Sequence, residues 1–251
     1  MKLSTESRYL LQTQKTVGRA INRYGLIRAG DRIAAGLSGG KDSIVLLETL
    51  ALRRRWIPIH YDLHAIHICV KNITPVFDRE YYERFCAELD IAFHLRTIEV
   101  DLTRDPSKTV CFVCAWHRRK ELFRAVNELG CNRLALGHHM DDALETLLLN
   151  MTFNGSISSM PPRLPMFGGE FDIIRPLILL QEKQVERYAR IRGFPVGKES
   201  CPYSDSTRRA DMKRLIGELT KMNVKAKKNL FAAMSNIHEE YLPPKDDGEE
   251  Q

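Results

Sequence analysis

DRIAAGLSGGKDSIVLLETLALRR, residues 31–54, passes from a short apolar run (Asp31 to Leu37) through a glycine-rich turn into a run of helical length with an apolar stripe (Lys41 to Arg54). The first run reads as a buried strand and the second as a helix, with Ser38, Gly39 and Gly40 marking the boundary. In an open parallel sheet, such a junction lies beyond the carboxyl end of a strand. There a helix start offers unpaired N–H groups and positive dipole to an anion. Ser38, Gly39 and Gly40 let the backbone approach a phosphate closely, Lys41 adds a point charge, and Ser43 brings a hydroxyl. The segment is not the common nucleoside-triphosphate loop, which requires Gly where this chain has Ala35 and Ser or Thr where it has Asp42.

Outward from this stretch the alternation continues. Asp62 to Val70, His94 to Val100 and Asn132 to Leu136 read as strands, with Phe171 to Ile174 as a weaker fifth. Asp78 to Glu88, Ala115 to Leu129 and Asp142 to Phe153 read as helices between them, and Tyr9 to Ile27 as a helix ahead of the sheet. The expected fold is therefore α/β, a parallel twisted sheet with helices on both faces. The run GSISSMPPRLPMFGGE, residues 155–170, reads as a mobile active-site segment. Gln181 to Arg192, Arg208 to Lys221 and Val224 to Glu240 read as later helices. The chain divides into an N-terminal helix (1–28), a nucleotide-binding domain (29–200), a basic helical region (201–240) and a disordered acidic tail (241–251).

The 251 residues include 38 Lys and Arg against 32 Asp and Glu, a formal charge of +6, with 43% hydrophobic residues, enough for one large core. Eight of the cations and only two acids fall between Thr207 and Lys228, which makes that segment the expected RNA surface. No apolar run approaches the roughly 18 residues of a membrane span, and the first residues lack a signal-peptide apolar block, so a cytoplasmic protein without membrane contact is expected. In a reducing compartment the six cysteines need not form disulfides; Cys69, Cys86 and Cys131 sit inside apolar patterns as small core residues. Cys111 and Cys114 form a CxxC pair opening a helix, and Cys201 precedes Pro202 far along the chain. Three thiolates suit an iron–sulfur cluster with one iron open. A zinc site completed by His117 or His139, or a redox-active pair, satisfies the same spacing.

SGGKDS, Ser38 to Ser43, resembles the pyrophosphate loop of the PP-loop ATPase superfamily, whose members cleave ATP to AMP and pyrophosphate. The string Gly137-His138-His139-Met140-Asp141-Asp142 is similar to a second element of that superfamily near the nucleotide. Two adjacent carboxylates there suit Mg2+ on ATP phosphates, while either one alone also serves as a helix-start acid. Pyrophosphate loop, CxxC, GHHxDD, Arg175-Pro176-Leu177 and the late Cys-Pro occur in the order of the tRNA 2-thiocytidine synthetase family of tRNA thiolases, a resemblance over most of the chain. It implies ATP held by Ser38, Gly39, Gly40, Lys41, Asp42 and Ser43 with Gly137, Asp141 and Asp142, and adenine beside the backbone at His67. It implies a [4Fe-4S] cluster on Cys111, Cys114 and Cys201 whose open iron binds sulfide, and catalytic roles for Asp141, Arg118 and Cys201. Arg118 matches a basic position of that family. The implied reaction adenylates the C2 carbonyl of an anticodon-loop cytidine of tRNA and replaces its oxygen by sulfur from a cysteine desulfurase or sulfide, in a protein that forms a homodimer. Thiolation of another base, nitrogen transfer, and a non-catalytic nucleotide-binding iron–sulfur sensor are the alternatives that share the ATP loop.

Overall fold

Alternation along the strands decides how the layers form. In β1 (Arg32–Gly36), Ile33 and Ala35 face one side and Ala34 the other, all fully buried. In β2 (Asp62–Val70), Leu63 and Ala65 join Ile33, while Ile66 and Ile68 join Ala34. A sheet buried on both faces needs helices on both, and the computed structural model, which describes residues 3–71, 77–101, 109–195 and 208–243, has them.

The remaining strands are β3 (Ala92–Ile98), β4 (Arg133–Ala135), β5 (Arg163–Met166) and β6 (Phe171–Ile174), and the order across the sheet is β3-β2-β1-β4-β6-β5. Helices α1 (Thr5–Tyr24), α2 (Lys41–Arg54) and α3 (Arg79–Glu88) contribute to the core on one face together with α6 (Glu182–Arg192). On the other face lies α4 (Val110–Glu128), through Ala125, Val126 and Leu122. Three further helices, α5 (Met140–Phe153), α7 (Arg208–Met222) and α8 (Ala226–Ala233), pack together through Met140, Leu144, Leu147, Ile216, Leu230 and Phe231. Among the described residues no helix is long and apolar enough to cross a membrane.

Caps set the boundaries. Ser4 accepts the Ser7 N–H at 3.0 Å, so α1 begins earlier than Tyr9, and it ends before Ile27 because Gly25 turns left-handed at φ 57°. Thr109 accepts the Phe112 N–H at 3.3 Å, which starts α4 at Val110 and puts the CxxC pair among its first five residues.

Two expectations need correction. Residues 163–166 of the supposed mobile segment form an edge strand antiparallel to β6, with Arg163 opposite Ile174 and Met166 opposite Phe171. Gly168 and Gly169, at φ 71° and 100°, make the reversal possible, and Pro165 is tolerated because an edge strand needs no inner ladder donor. The sheet is therefore parallel with one antiparallel edge. The run read as one helix over 224–240 stops at Ala233, where Ser235 and Asn236 close turns onto Ala232 and Ala233, and resumes only as a 3-10 turn at Glu239–Tyr241.

At the amino ends of the strands Arg133 is buried between Asp31, at 3.1 Å, and Asp172, which also takes Arg163 at 2.8 Å. Asp172→Ala strips both arginines of a shared partner and is expected to lower unfolding free energy by about 3 kcal/mol, read by denaturant melts.

Candidate nucleotide and thiol site

From β1 the chain winds outward through β2 to β3, then returns to the other side of β1 for β4 and β6. The loops after β1 and β4 therefore part in opposite directions and leave a crevice at the carboxyl edge. These loops carry Ser38–Ser43 and Gly137–Asp142. Because β4 is parallel to β1, α4 must run back from the carboxyl edge, which puts Cys111 and Cys114 on that edge too.

The loop after β1 is built from its own hydroxyls. Ser43 Oγ donates to the Gly40 carbonyl at 2.8 Å and accepts the Ser38 N–H at 3.2 Å. Gly39, at φ 88°, takes a conformation that favours glycine, and its carbonyl accepts the Tyr82 hydroxyl at 2.9 Å. Gly40 is the N-cap of α2 and supplies no side-chain cap, so the helix start keeps its anion-binding character. Gly137 closes the floor: a Cβ there would stand 3.0 Å from the carbonyl carbon and oxygen of Asp42 and 3.2 Å from the Ser43 nitrogen.

The acids of this edge have named partners. Asp142 accepts the His139 N–H at 2.9 Å, the helix-start role weighed for it in the sequence. Asp141 Oδ2 accepts the Glu182 N–H at 2.8 Å, while its Oδ1 pairs with Lys227. Lys41 Nζ is 3.2 Å from Asp42 and 3.7 Å from Glu182, and Lys213 lies 2.7 Å from Glu182. Asp42 Oδ1 is buried without a hydrogen bond, and burial raises the pKa of Asp42 above the ordinary carboxylate value against the pull of Lys41 and His139. Burial opposes ionisation of Glu182 too, but the hydrogen bond and charge of Lys213, with Lys41 and His139, hold its pKa below the ordinary value.

His67, at the end of β2, is 1% exposed, and its Nδ1 lies 2.8 Å from the Leu37 carbonyl. A carbonyl only accepts, so Nδ1 carries the proton and ties the end of β2 to the start of the phosphate loop. Phe77 stacks on the imidazole at 3.6 Å, and Tyr82 on Phe77 at 4.5 Å. Burial pushes the His67 pKa down to about 4, with Arg118 adding in the same direction. Burial lowers His138 likewise. His67 is thus neutral near pH 7.

Cys111 and Cys114 are half-buried, three residues apart on one helical face, at a helix start that favours thiolates. Arg118 follows one turn later. Cys201 lies outside the described residues, and among the described residues no three His, Cys, Asp or Glu side chains converge as a metal site. Burial raises Cys86 to about 12 and Cys131 to about 11, in keeping with core roles.

Sequence reasoning missed Glu182 and the Phe77–Tyr82 stack. Glu182 is 41 residues from Asp141, and nothing in its local pattern marks it. The segment expected as an RNA surface turns three of its cations, Arg209, Lys213 and Lys227, toward Asp142, Glu182 and Asp141.

Gly137→Ala forces its methyl against the Asp42 backbone. It is expected to cost about 1–3 kcal/mol of stability and to weaken nucleotide binding, by melts and calorimetric titration. The unfolded His67 side chain binds a proton near pH 6.5 and the folded one only near 4, so its contribution is whole above 6.5 and is lost on acidification through that window. The loss reaches about 3 kcal/mol at most. Denaturant melts from pH 7 to 4 are expected to fall less steeply for His67→Asn.

The PP-loop domain family model matches residues 10–219. The tRNA-cytidine(32) 2-sulfurtransferase of Geobacter sulfurreducens is 41% identical over 235 residues, covering 91% of each chain. Its counterpart from Paraburkholderia phymatum is 37% identical over 91% of this chain and 69% of its own. Among solved structures, the U34-tRNA thiolase NcsA from Methanococcus maripaludis with its [4Fe-4S] cluster superposes with a TM-score of 0.73 at 23% identity, covering 96% of this chain and 82% of that one, a likeness of fold. With its sheet order, its phosphate loop and these relatives, the chain belongs to the PP-loop domain family, within the branch of the tRNA-cytidine(32) 2-sulfurtransferases.

Proposed function

We propose that this protein is an ATP-dependent tRNA sulfurtransferase that converts an anticodon-loop cytidine, position 32 in the relatives' names, to 2-thiocytidine. The observation that carries the reading is that an anion-binding helix start and the Cys111–Cys114 pair share one edge of the sheet.

The chemistry follows from a poor leaving group. A ring carbonyl oxygen is not displaced by sulfide at useful rates, so it must first be activated. O2 of the cytidine attacks the α-phosphorus of ATP, the bond to the bridging oxygen breaks, and pyrophosphate leaves. A sulfur nucleophile then adds at C2, and AMP departs with the former base oxygen. Lys41 and the amide end of α2 hold the charge of the departing pyrophosphate. Ser43 shapes the loop, and neutral His67 anchors Leu37. Asp42, with a buried oxygen that makes no hydrogen bond, and Asp141 are the acids suited to Mg2+-bound phosphates. Arg118 supplies positive charge one turn from Cys114 as the base is activated.

The two thiols fit a thiolate-ligated group, being adjacent on a helix start, and Cys201 completes a set of three. A [4Fe-4S] cluster held by them, when bound, supplies a thiophilic position for sulfide drawn from a cysteine desulfurase or from free sulfide. A cytidine reaches such an edge only when splayed from a single-stranded loop. The exposed Arg208, Lys225 and Lys228 are the cations suited to the tRNA backbone.

The test is mass spectrometry of nucleosides from tRNA of the source strain with and without the gene, rescued by unsubstituted, Cys201→Ser or Lys41→Ala forms. Loss of 2-thiocytidine restored only by the unsubstituted gene is expected, with pyrophosphate release by Lys41→Ala reduced about 100-fold or more. Survival of every thionucleoside in the deletion strain overturns the reading.

A further inference from the structure

The inner face of α8 is apolar until it reaches the crevice. Leu230, Phe231 and Met234 pack against the α5 side chains, and Lys227 precedes Leu230 and Phe231 by three and four residues on that face. Its side chain is 15% exposed, and its ammonium pairs with Asp141. A lysine on the inner face of a packed helix loses hydration, and this one also lies at the amino end of α5, where the dipole disfavours a cation. Asp141 alone does not account for it, since that carboxylate already accepts the Glu182 N–H and stands in the first turn of α5. From α7, Lys213 reaches Glu182 at 2.7 Å, and Glu182 also faces Lys41 Nζ at 3.7 Å. Three ammonium groups from three helices thus meet through two acids at the crevice mouth.

We propose that Lys227, assisted by Lys213, binds the polyphosphate of ATP, so that α7 and α8 complete the site that Ser38–Ser43 begin. The inference rests on the ATP reading above and deepens it. Asp141 and Glu182 hold the two ammonium groups in position, and phosphate oxygens replace those carboxylates as partners when nucleotide enters. A triphosphate is the ligand that fits, because Lys41 at the start of α2 shares Glu182 with Lys213, and Lys227 is held by Asp141, whose other oxygen accepts the Glu182 N–H. When the bond between the α- and β-phosphates breaks, the charge that grows on the leaving pyrophosphate falls among these three lysines.

The test is calorimetric titration of the full-length protein in Mg2+ with the α,β-methylene analogue of ATP and with AMP, for the unsubstituted chain, Lys227→Met, Lys227→Arg and Lys213→Met. Lys227→Met is expected to weaken the triphosphate analogue about tenfold or more while changing AMP by less than about twofold, and Lys227→Arg to stay within about threefold. Equal weakening of both ligands marks Lys227 as a structural partner of Asp141 and overturns the proposal, as does unchanged analogue affinity. If Lys227→Met melts below the assay temperature, Lys213→Met decides, since its side chain is 59% exposed. A selective loss of analogue affinity supports the proposal and an unchanged affinity overturns it. Failure of the unsubstituted protein to bind the analogue overturns the ATP reading and this inference with it. Normal binding by both the unsubstituted and Lys227→Met forms overturns only the assignment of Lys227.

Discussion

The close approach of two loops at the middle of the sheet governs the rest of the molecule. Gly137, after β4, lies so near the backbone of Asp42 and Ser43 that a single added carbon would meet them at 3.0 and 3.2 Å. Such contact is possible because β1 and β4 are neighbours lined by small residues, Ala34, Ala35 and Ala135. It brings the starts of α2 and α5 into one crevice, and the two helix dipoles reinforce each other there. The acids Asp42, Asp141, Asp142 and Glu182 each stand in the first turn of a helix there, and lysines pair with three of them.

The two ends of the sheet treat charge differently. At the amino end Arg133, Asp31, Asp172 and Arg163 form a paired cluster with well-defined partners, as expected of buried ions that serve stability. At the carboxyl end the pairs lie beside the crevice: Glu182 divides itself between Lys41 and Lys213, Asp141 between a backbone amide and Lys227, and Asp42 keeps one oxygen without a hydrogen bond. Burial keeps His67 and His138 uncharged near neutral pH, so neither ring adds to the positive charge of the crevice.

Much of this was legible in the chain. The bounds of β2, β6 and α2 match the expected ones because each is an apolar run closed by turn residues or glycine. The SGGKDS junction lies where a strand-to-helix reading puts it, and the CxxC pair opens its helix. Strand β5 was hidden because four residues with Pro165 among them, none fully buried, are too short a run to show alternation. The end of α8 was hidden because amphipathic spacing continues past Ser235 while the backbone turns. The partners of Asp141 were hidden for a different reason. Lys227 is 86 residues away, and a lysine among eight cations in a short segment looks like a solvated surface until its neighbours are known.

The β5–β6 hairpin bears on what one margin of the sheet is able to pair with. An open sheet offers a template of unpaired N–H and C=O groups to any passing extended segment. On one side that template ends in a strand of four residues with an imino acid inside it, twisted back by Gly168 and Gly169. A strand added there would find a missing donor at Pro165 and too short a ladder to hold it. Continuous backbone pairing with a further strand is thereby disfavoured at that margin, which leaves side chains rather than main-chain hydrogen bonds to meet whatever approaches it.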